Sequence, residues 1–178
     1  MTLTKAEKLS HYNESKSNPA YFWKWTLGSE TVYDKQLEMV EAVRDHNRVA
    51  VVGANGTGKD WQAARIMLWW QSIHNPAITV VLGPTHRQVS DIIWKEARSA
   101  YLSPRMPLGG RRNITTRREH DDRHYAVGFS TDNEYNIQGF HSPNLLVIIT
   151  EAHNVEQSHI DAVKRLNPAR MLLTGNAF

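Results

Sequence analysis

At 178 residues the chain is long enough to bury a sizeable core and short enough to form one domain. Its formal net charge of +3 and pI of about 9.2 permit contact with nucleic acid without requiring it. The absence of cysteine excludes a disulfide scaffold and any thiolate metal site, which fits a reducing compartment. The first residues, MTLTKAE, lack the apolar core of a secretion signal, and no uncharged apolar run approaches the ~18 residues of a membrane span.

In chain order, Thr4 to Ser15 reads as a polar lead-in helix, broken at Asn18-Pro19. The aromatic cluster from Ala20 to Trp25 is expected to pack rather than to bind a ligand. Tyr33 to Asn47 carries Leu37, Val40 and Val43 at helical spacing with Met39 and Ala42 beside them, a helical face, and Gln36 sits in its first turn. Arg48 to Val52 is a short β-branched run. After the segment that follows it, Trp61 to Ile73 reads as a helix and Ala77 to Leu82 as a buried strand. Thr85 with Gln88 has the form of a capping box, so a helix is expected from about His86 to Tyr101. Ser103 to Gly110 is a loop. The thirteen residues from Arg111 to Arg123 hold five arginines, at 111, 112, 117, 118 and 123, among acids that compensate part of the charge. Tyr125 to Ser130 is a strand, Thr131 to Asn144 a polar loop, and Leu145 to Ile149 a central strand. Val155 to Leu166 is a helix and Met171 to Thr174 a last strand. Strands alternating with helices predict an α/β domain around a mainly parallel sheet. Ligands of such sheets lie at the carboxyl ends of the strands, which here gathers Gly53–Asp60, Gly83–Thr85, Thr150–Glu151 and Gly175–Asn176 on one edge.

The chemistry centres on Gly53-Ala54-Asn55-Gly56-Thr57-Gly58-Lys59-Asp60. Three glycines let the backbone curl so that its N–H groups face phosphate oxygens, the lysine supplies a point charge, and the following helix presents its N-terminus to the same anion. The pattern G-x-x-x-x-G-K-[ST] is met except at the last position, where Asp60 replaces the hydroxyl residue that ordinarily ligates Mg²⁺. At ~4 Å and an effective dielectric of ~20, a carboxylate beside a phosphate costs roughly 4 kcal/mol unless a cation intervenes. Leu145 to Ile149 delivers Thr150-Glu151-Ala152-His153 to the same edge. There P-loop ATPases usually carry Asp-Glu, so Thr150 replaces the metal-holding aspartate and Glu151 remains as the group that activates water. The two departures compensate: a carboxylate is gained at 60 and lost at 150, a hydroxyl the reverse, and Mg²⁺ accepts either as a hard oxygen ligand. The rival expectation is that either change disables turnover and leaves a silent binding module.

These pieces, in this order, resemble the ATPase domain of the large terminase subunit of tailed bacteriophages, the motor that packages DNA into procapsids. The resemblance is carried by Tyr33-Asp34-Lys35-Gln36, Val51 to Lys59, Gly83 to Gln88 with Trp94-Lys95-Glu96, Asn136 to His141, Leu145 to His153 and Leu172 to Asn176. It implies a P-loop NTPase fold of the ASCE type. Residues 1–47 would form a helical lead-in with the adenine-binding segment, and residues 48–178 the ATPase core. It further implies that Gln36 reads adenine, that residues 53–60 and Lys59 hold ATP, that Asp60 and Thr150 lie near Mg²⁺, and that Glu151 activates water. Thr174-Gly175-Asn176 would be the coupling segment that senses the γ-phosphate. Implied partners are double-stranded DNA, a portal protein, a small terminase subunit and further copies of the chain in a ring, acting in the host cytoplasm at the procapsid. The family's arginine finger has no counterpart at Ala54, Asn55 or Thr57, so a finger from a neighbouring subunit is expected, with Arg98, Arg105 and the arginines of 111–123 as candidates. Full-length members continue into a nuclease domain, and this chain, ending just past the coupling segment, is expected to have no nuclease activity.

Two further readings compete with that motor. One is a catalytically silent nucleotide- or DNA-binding module; the other is a helicase-like fragment, which Gly83-Pro84-Thr85 fits although no second lobe follows. Arg111, Arg112, Arg117, Arg118 and Arg123 either track a DNA backbone or form a solvated hairpin paired with Glu119, Asp121 and Asp122. His120 and His124 have helical metal-ligand spacing, but their segment reads as a hairpin. His141, His153 and His159 read as surface or capping residues.

Overall fold

The computed structural model describes residues 3–29, 31–102, 104–131, 137 and 139–177, with 111–114 described as backbone alone. Among the described residues seven strands form one sheet in the order β1-β7-β6-β2-β5-β4-β3. They are β1 (Arg48–Val52), β2 (Ile78–Gly83), β3 (Arg111–Ile114), β4 (Arg117–Asp121), β5 (His124–Ser130), β6 (Leu145–Ile149) and β7 (Arg170–Gly175). The first five in spatial order are parallel; β4 and β3 close the far side as an antiparallel hairpin. Residues 111–123 are thus a hairpin, as expected.

Alternation along β6 sorts its apolar run between two cores. Leu146 and Ile148 face one cluster; Leu145, Val147 and Ile149 face the other. The first cluster is the larger and lies under the helices α3 (Asp34–Asp45), α4 (Lys59–Ile73) and α5 (Trp94–Leu102). The second is covered by α6 (Gln157–Arg165). Twelve of the 15 residues of α4 are buried, so this helix is enclosed on all sides rather than lying on the surface.

What encloses it is the N-terminal segment. α1 (Lys5–Ser17) starts in a capping box between Thr4 and Glu7, and α2 (Pro19–Tyr21) runs into a π-helical turn over Phe22–Thr26. The aromatic cluster packs as expected: Phe22 and Trp23 are buried in the α4 core, and only Trp25 is largely exposed. The carbonyl of Ser15 accepts from Trp69 Nε1 at 2.8 Å, and that of Ile73 from Tyr12 Oη at 2.8 Å. No helix among the described residues is long and apolar enough to cross a membrane.

The helix expected from about His86 to Tyr101 forms, but its first part, Gln88–Ile93, is π-helical before α5 begins. It lies against the sheet where Gly128 leaves room. A Cβ on Gly128 would fall on Trp94 Nε1 and 2.6 Å from Val89 Cγ1, both in fully buried side chains. Gly128→Ala is therefore expected to destabilise the fold by about 3 kcal/mol, the upper end of ordinary overpacking. In urea this reads as a lower unfolding midpoint at unchanged slope.

Candidate functional site

The site forms where β1, β6 and β7 end beside the N-terminus of α4. Gly56 and Gly58 adopt φ of 75° and 81°, a left-handed backbone that a side chain would strain, and Gly58 is the N-cap of α4. The loop is tied to its neighbour strand, since Gly53 N–H donates to the carbonyl of Gly175 at 3.1 Å. Lys59 is only 8% exposed. Its ammonium donates to Gly53 O at 3.0 Å, Ala54 O at 2.8 Å and Asn176 Oδ1 at 2.9 Å. Those three acceptors saturate its three protons, and phosphate oxygens entering the loop would take over from the carbonyls. Beside the loop, a groove of about 410 Å³ is lined by Lys35, Met39, Val52, Gly53, Thr57 and Lys59, a volume suited to a small ligand.

Asn176 is the junction. Its Oδ1 accepts from Lys59 while its Nδ2 donates to Glu151 Oε2 at 3.0 Å. Glu151 itself stands at φ 48°, ψ 44°, left-handed for a non-glycine residue, a conformation that costs on the order of 1–3 kcal/mol and recurs at functional sites. The turn lifts its carboxylate off the line of β6 toward β7. Thr150, the last residue before it, is fully buried, and its Oγ1 has no hydrogen-bond partner.

Asp60 lies in the first turn of α4 and accepts from Gln88 Nε2 at 3.3 Å. Burial, and next the nearby Glu151 charge, push its carboxyl above the ordinary carboxylate range; Lys59 and the Gln88 hydrogen bond pull it back. Gly83 joins this group to Thr150: its Cβ position lies 3.4 Å from Gln88 Cβ and 3.3 Å from Thr150 Oγ1. Asp60 and Thr150 thus flank one strand end. A buried hydroxyl without a partner and a carboxyl crowded by another carboxylate form a hard-oxygen donor set suited to Mg²⁺. Among the described residues no three His, Asp or Glu side chains are placed to hold a metal unaided, so phosphates and water would complete the shell.

Gln36, which alone would read as solvated, is 7% exposed. Its Oε1 accepts from Tyr33 N at 3.2 Å, and its Nε2 lies 3.0 Å from the Cβ position of Gly58. Of the residues singled out from the sequence, Gln36, the loop, Asp60, Thr150, Glu151 and Asn176 come together. Thr174 is buried one residue before Gly175. Within Asn136 to His141, Asn136 and Gln138 lie outside the described residues; Phe140 stacks on Phe129 at 5.7 Å.

The arginines divide. Arg118 is a correction to the DNA-facing set: it is 2% exposed and donates to Gln71 Oε1 at 3.0 Å, Leu108 O at 3.1 Å and Gly109 O at 3.2 Å, beneath Tyr101. Burial lowers its pKa to about 10. Arg117 pairs with Glu119 at 2.9 Å and lies over Tyr125, whereas Arg123 is exposed. The side chains of Arg111 and Arg112 lie outside the description. Arg98, a finger candidate, donates to Thr115 O at 2.9 Å and Ser90 O at 3.3 Å, and Arg105 packs on Gly28.

The histidine pair lies on the hairpin of β4 and β5 and stacks ring on ring. The rings of His120 and His124 stack at 4.3 Å, and His124 Nε2 contacts the Gln71 carbonyl at 2.9 Å. Burial pushes His120 down to about 4 and lowers His124. Two residues read from the sequence for other reasons stand beside the site: Gln88, whose N–H donates to Thr85 Oγ1 at 3.2 Å as the capping box requires, and His153, read as a surface or capping residue. His153 Nδ1 accepts from Asn176 N–H at 3.4 Å, and its Nε2 lies 3.5 Å from Glu151 Oε2. Its place directly after an apolar strand and Glu151 was the available signal.

No family model and no curated protein matches the sequence. Solved structures do. The chain is similar to the large terminase of bacteriophage HK97 with a TM-score of 0.71 and 15% identity, over 91% of this chain and 37% of that one. It is similar to the large terminase of a thermophilic bacteriophage with a TM-score of 0.64 and 16% identity, over 83% and 39%, and that protein has also been solved in complex with ADP. The isolated large terminase ATPase domain of Thermus phage P74-26 aligns with a TM-score of 0.58 and 17% identity, over 89% and 69%. The chain therefore spans less than two-fifths of the full terminases, and its fold is the P-loop NTPase fold of their ATPase domains.

Proposed function

We propose that this chain is the ATPase part of a phage DNA-packaging motor, hydrolysing ATP to drive double-stranded DNA into a procapsid. The observation that supports it most is the continuous bridge from Lys59 through Asn176 to Glu151, with links of 2.9 and 3.0 Å, at the carboxyl edge of a sheet of terminase topology. A loop built only to bind has no need of a carboxylate wired to its phosphate-binding lysine.

In this reading residues 1–47 form the lead-in that carries Gln36 to the base, and residues 48–178 form the core. The loop amides and Lys59 hold the phosphates, and Glu151 orients water for in-line attack on the γ-phosphorus. Mg²⁺, when bound, would offset charge on the β- and γ-phosphate oxygens, with Asp60 and Thr150 as its protein oxygens. Thr174, Gly175 and Asn176 couple the phosphate state to the strand edge. Since Ala54, Asn55 and Thr57 put no arginine in the loop, a finger supplied by a neighbouring copy in a ring is proposed. The DNA-facing cations reduce to Arg111, Arg112, Arg117 and Arg123. Portal and small terminase subunit are the proposed partners, and the host cytoplasm the proposed place of action. The activity proposed for these 178 residues is the ATPase alone, without nuclease chemistry.

The second reading, a silent nucleotide-binding module, is favoured by the crowding of Asp60 with Glu151. Phosphate release from ATP separates the two, measured with and without Mg²⁺ across protein concentrations and again with duplex DNA at rising salt. Expected are Mg²⁺-dependent turnover rising more steeply than protein concentration, and a DNA effect that fades with salt. Bound ATP without release at any concentration would establish the silent module.

A further inference from the structure

His153 stands at the strand edge with no part in the mechanism above, and its contacts indicate its tautomer. A neutral imidazole has one bare nitrogen and one N–H. The backbone N–H of Asn176 is a fixed donor aimed at Nδ1 at 3.4 Å, so Nδ1 is bare and Nε2 carries the proton. That proton lies between Glu151 Oε2, an ion-pair contact at 3.5 Å, and the side-chain amide of Asn154 at 3.1 Å, whose oxygen faces the ring once its two ends are exchanged by a half-turn. The packing leaves the ring little freedom. A Cβ on Gly175 would lie 3.3 Å from Nδ1 and 3.9 Å from the backbone nitrogen of His153.

The consequence for Glu151 is directional. Asn176 Nδ2 and His153 Nε2 both approach Oε2. Oε1 is left to receive a proton from water. The left-handed backbone at Glu151 raises the side chain off the strand, where Asn176 Nδ2 holds it by a 3.0 Å hydrogen bond and His153 Nε2 stands beside it at 3.5 Å. One of them comes from β7's end and the other is itself held by β7's end.

We propose that His153 is a positioning residue that aims Glu151 through Nε2–H while gripping the Asn176 backbone through Nδ1, so that the carboxylate and the end of β7 move as one unit. The role rests on the reading of Glu151 as the group that orients water. Charged groups facing the ring are Glu151 itself and, across Asn176, Lys59, with Asp60 beyond Glu151.

Three variants divide the contacts. His153→Ala removes both, His153→Asn keeps an acceptor near the Nδ1 position, and His153→Gln keeps a donor near the Nε2 position. Expected for His153→Ala is a fall in kcat of on the order of 10- to 100-fold with KM within about twofold, as for a small misplacement of a reacting group. His153→Gln should recover most of kcat and His153→Asn little of it. Ring ¹⁵N spectra of the wild-type protein should show Nε2–H with bare Nδ1, and Glu151→Gln should shift the Nε2 signal. An unchanged kcat in His153→Ala, an Nδ1–H tautomer, or a ring signal indifferent to Glu151→Gln would each overturn the proposal. If the wild-type chain released no phosphate, the role given to Glu151 would fail, and the spectra would still decide the contact by themselves.

Discussion

Glu151→Gln is expected to lower ATP turnover by about 10²- to 10⁴-fold, the range of general acid–base assistance, while ATP affinity stays within a few-fold of wild type. The substitution is nearly isosteric. A glutamine oxygen still accepts from Asn176 Nδ2, and the left-handed backbone at φ 48° is unaltered. What disappears is the negative charge that draws a proton from water. Lys59→Ala makes the contrast: it removes the ammonium that Gly53, Ala54 and Asn176 surround, so nucleotide binding and turnover should fall together. Equilibrium binding of a fluorescent ATP analogue beside single-turnover phosphate release separates the two. A Glu151→Gln protein that turns over at the wild-type rate would remove Glu151 from the chemistry and with it the proposed motor.

The parts of this site that the sequence discloses are those whose signal is local. The apolar run Leu145–Ile149 has no polar face to solvate, so it can only be an interior strand, and it sets Thr150 and Glu151 at the strand edge. The three glycines of the loop require a tight turn wherever they fold. Burial of polar side chains is different, because it depends on partners far along the chain. Arg118 reads as one more surface cation in a basic run. It is interior because Gln71, 47 residues earlier on α4, offers it an oxygen and the 108–109 carbonyls close over it. His153 reads as a cap because Asn176, 23 residues later, is invisible to any short window. Gln36 reads as solvated for the same reason, its site being completed by Gly58. The π-helical geometry of Gln88–Ile93 was equally hidden. A capping box announces where a helix begins and not the hydrogen-bond spacing within it.

The exchange of Asp60 and Thr150 should show the strongest coupling in the protein. Asp60→Thr alone leaves two hydroxyls and no carboxylate in the proposed metal shell. Thr150→Asp alone puts a third carboxylate beside Asp60 and Glu151, in a position with no exposed surface. Each single change is expected to cut Mg²⁺-dependent turnover by on the order of 100-fold, and the double exchange to bring it back within about tenfold of wild type, a coupling of about 4 kcal/mol. Stability gives an independent sign. Asp60 in the native chain has its pKa raised, so the folded state binds more protons than the unfolded one between the two pKa values. Stability is therefore lost as pH rises through that window and is not regained above it. Asp60→Thr removes this burden, so the nucleotide-free protein should melt no lower than wild type at neutral pH even as its turnover collapses. Thr150→Asp should melt lower, because it buries a charge with no cation to meet it. Two active single variants whose effects simply add would show that Asp60 and Thr150 do not share a metal. In that case the cation would be held by phosphates and water, and the carboxylate at 60 would act only through its contact with Gln88.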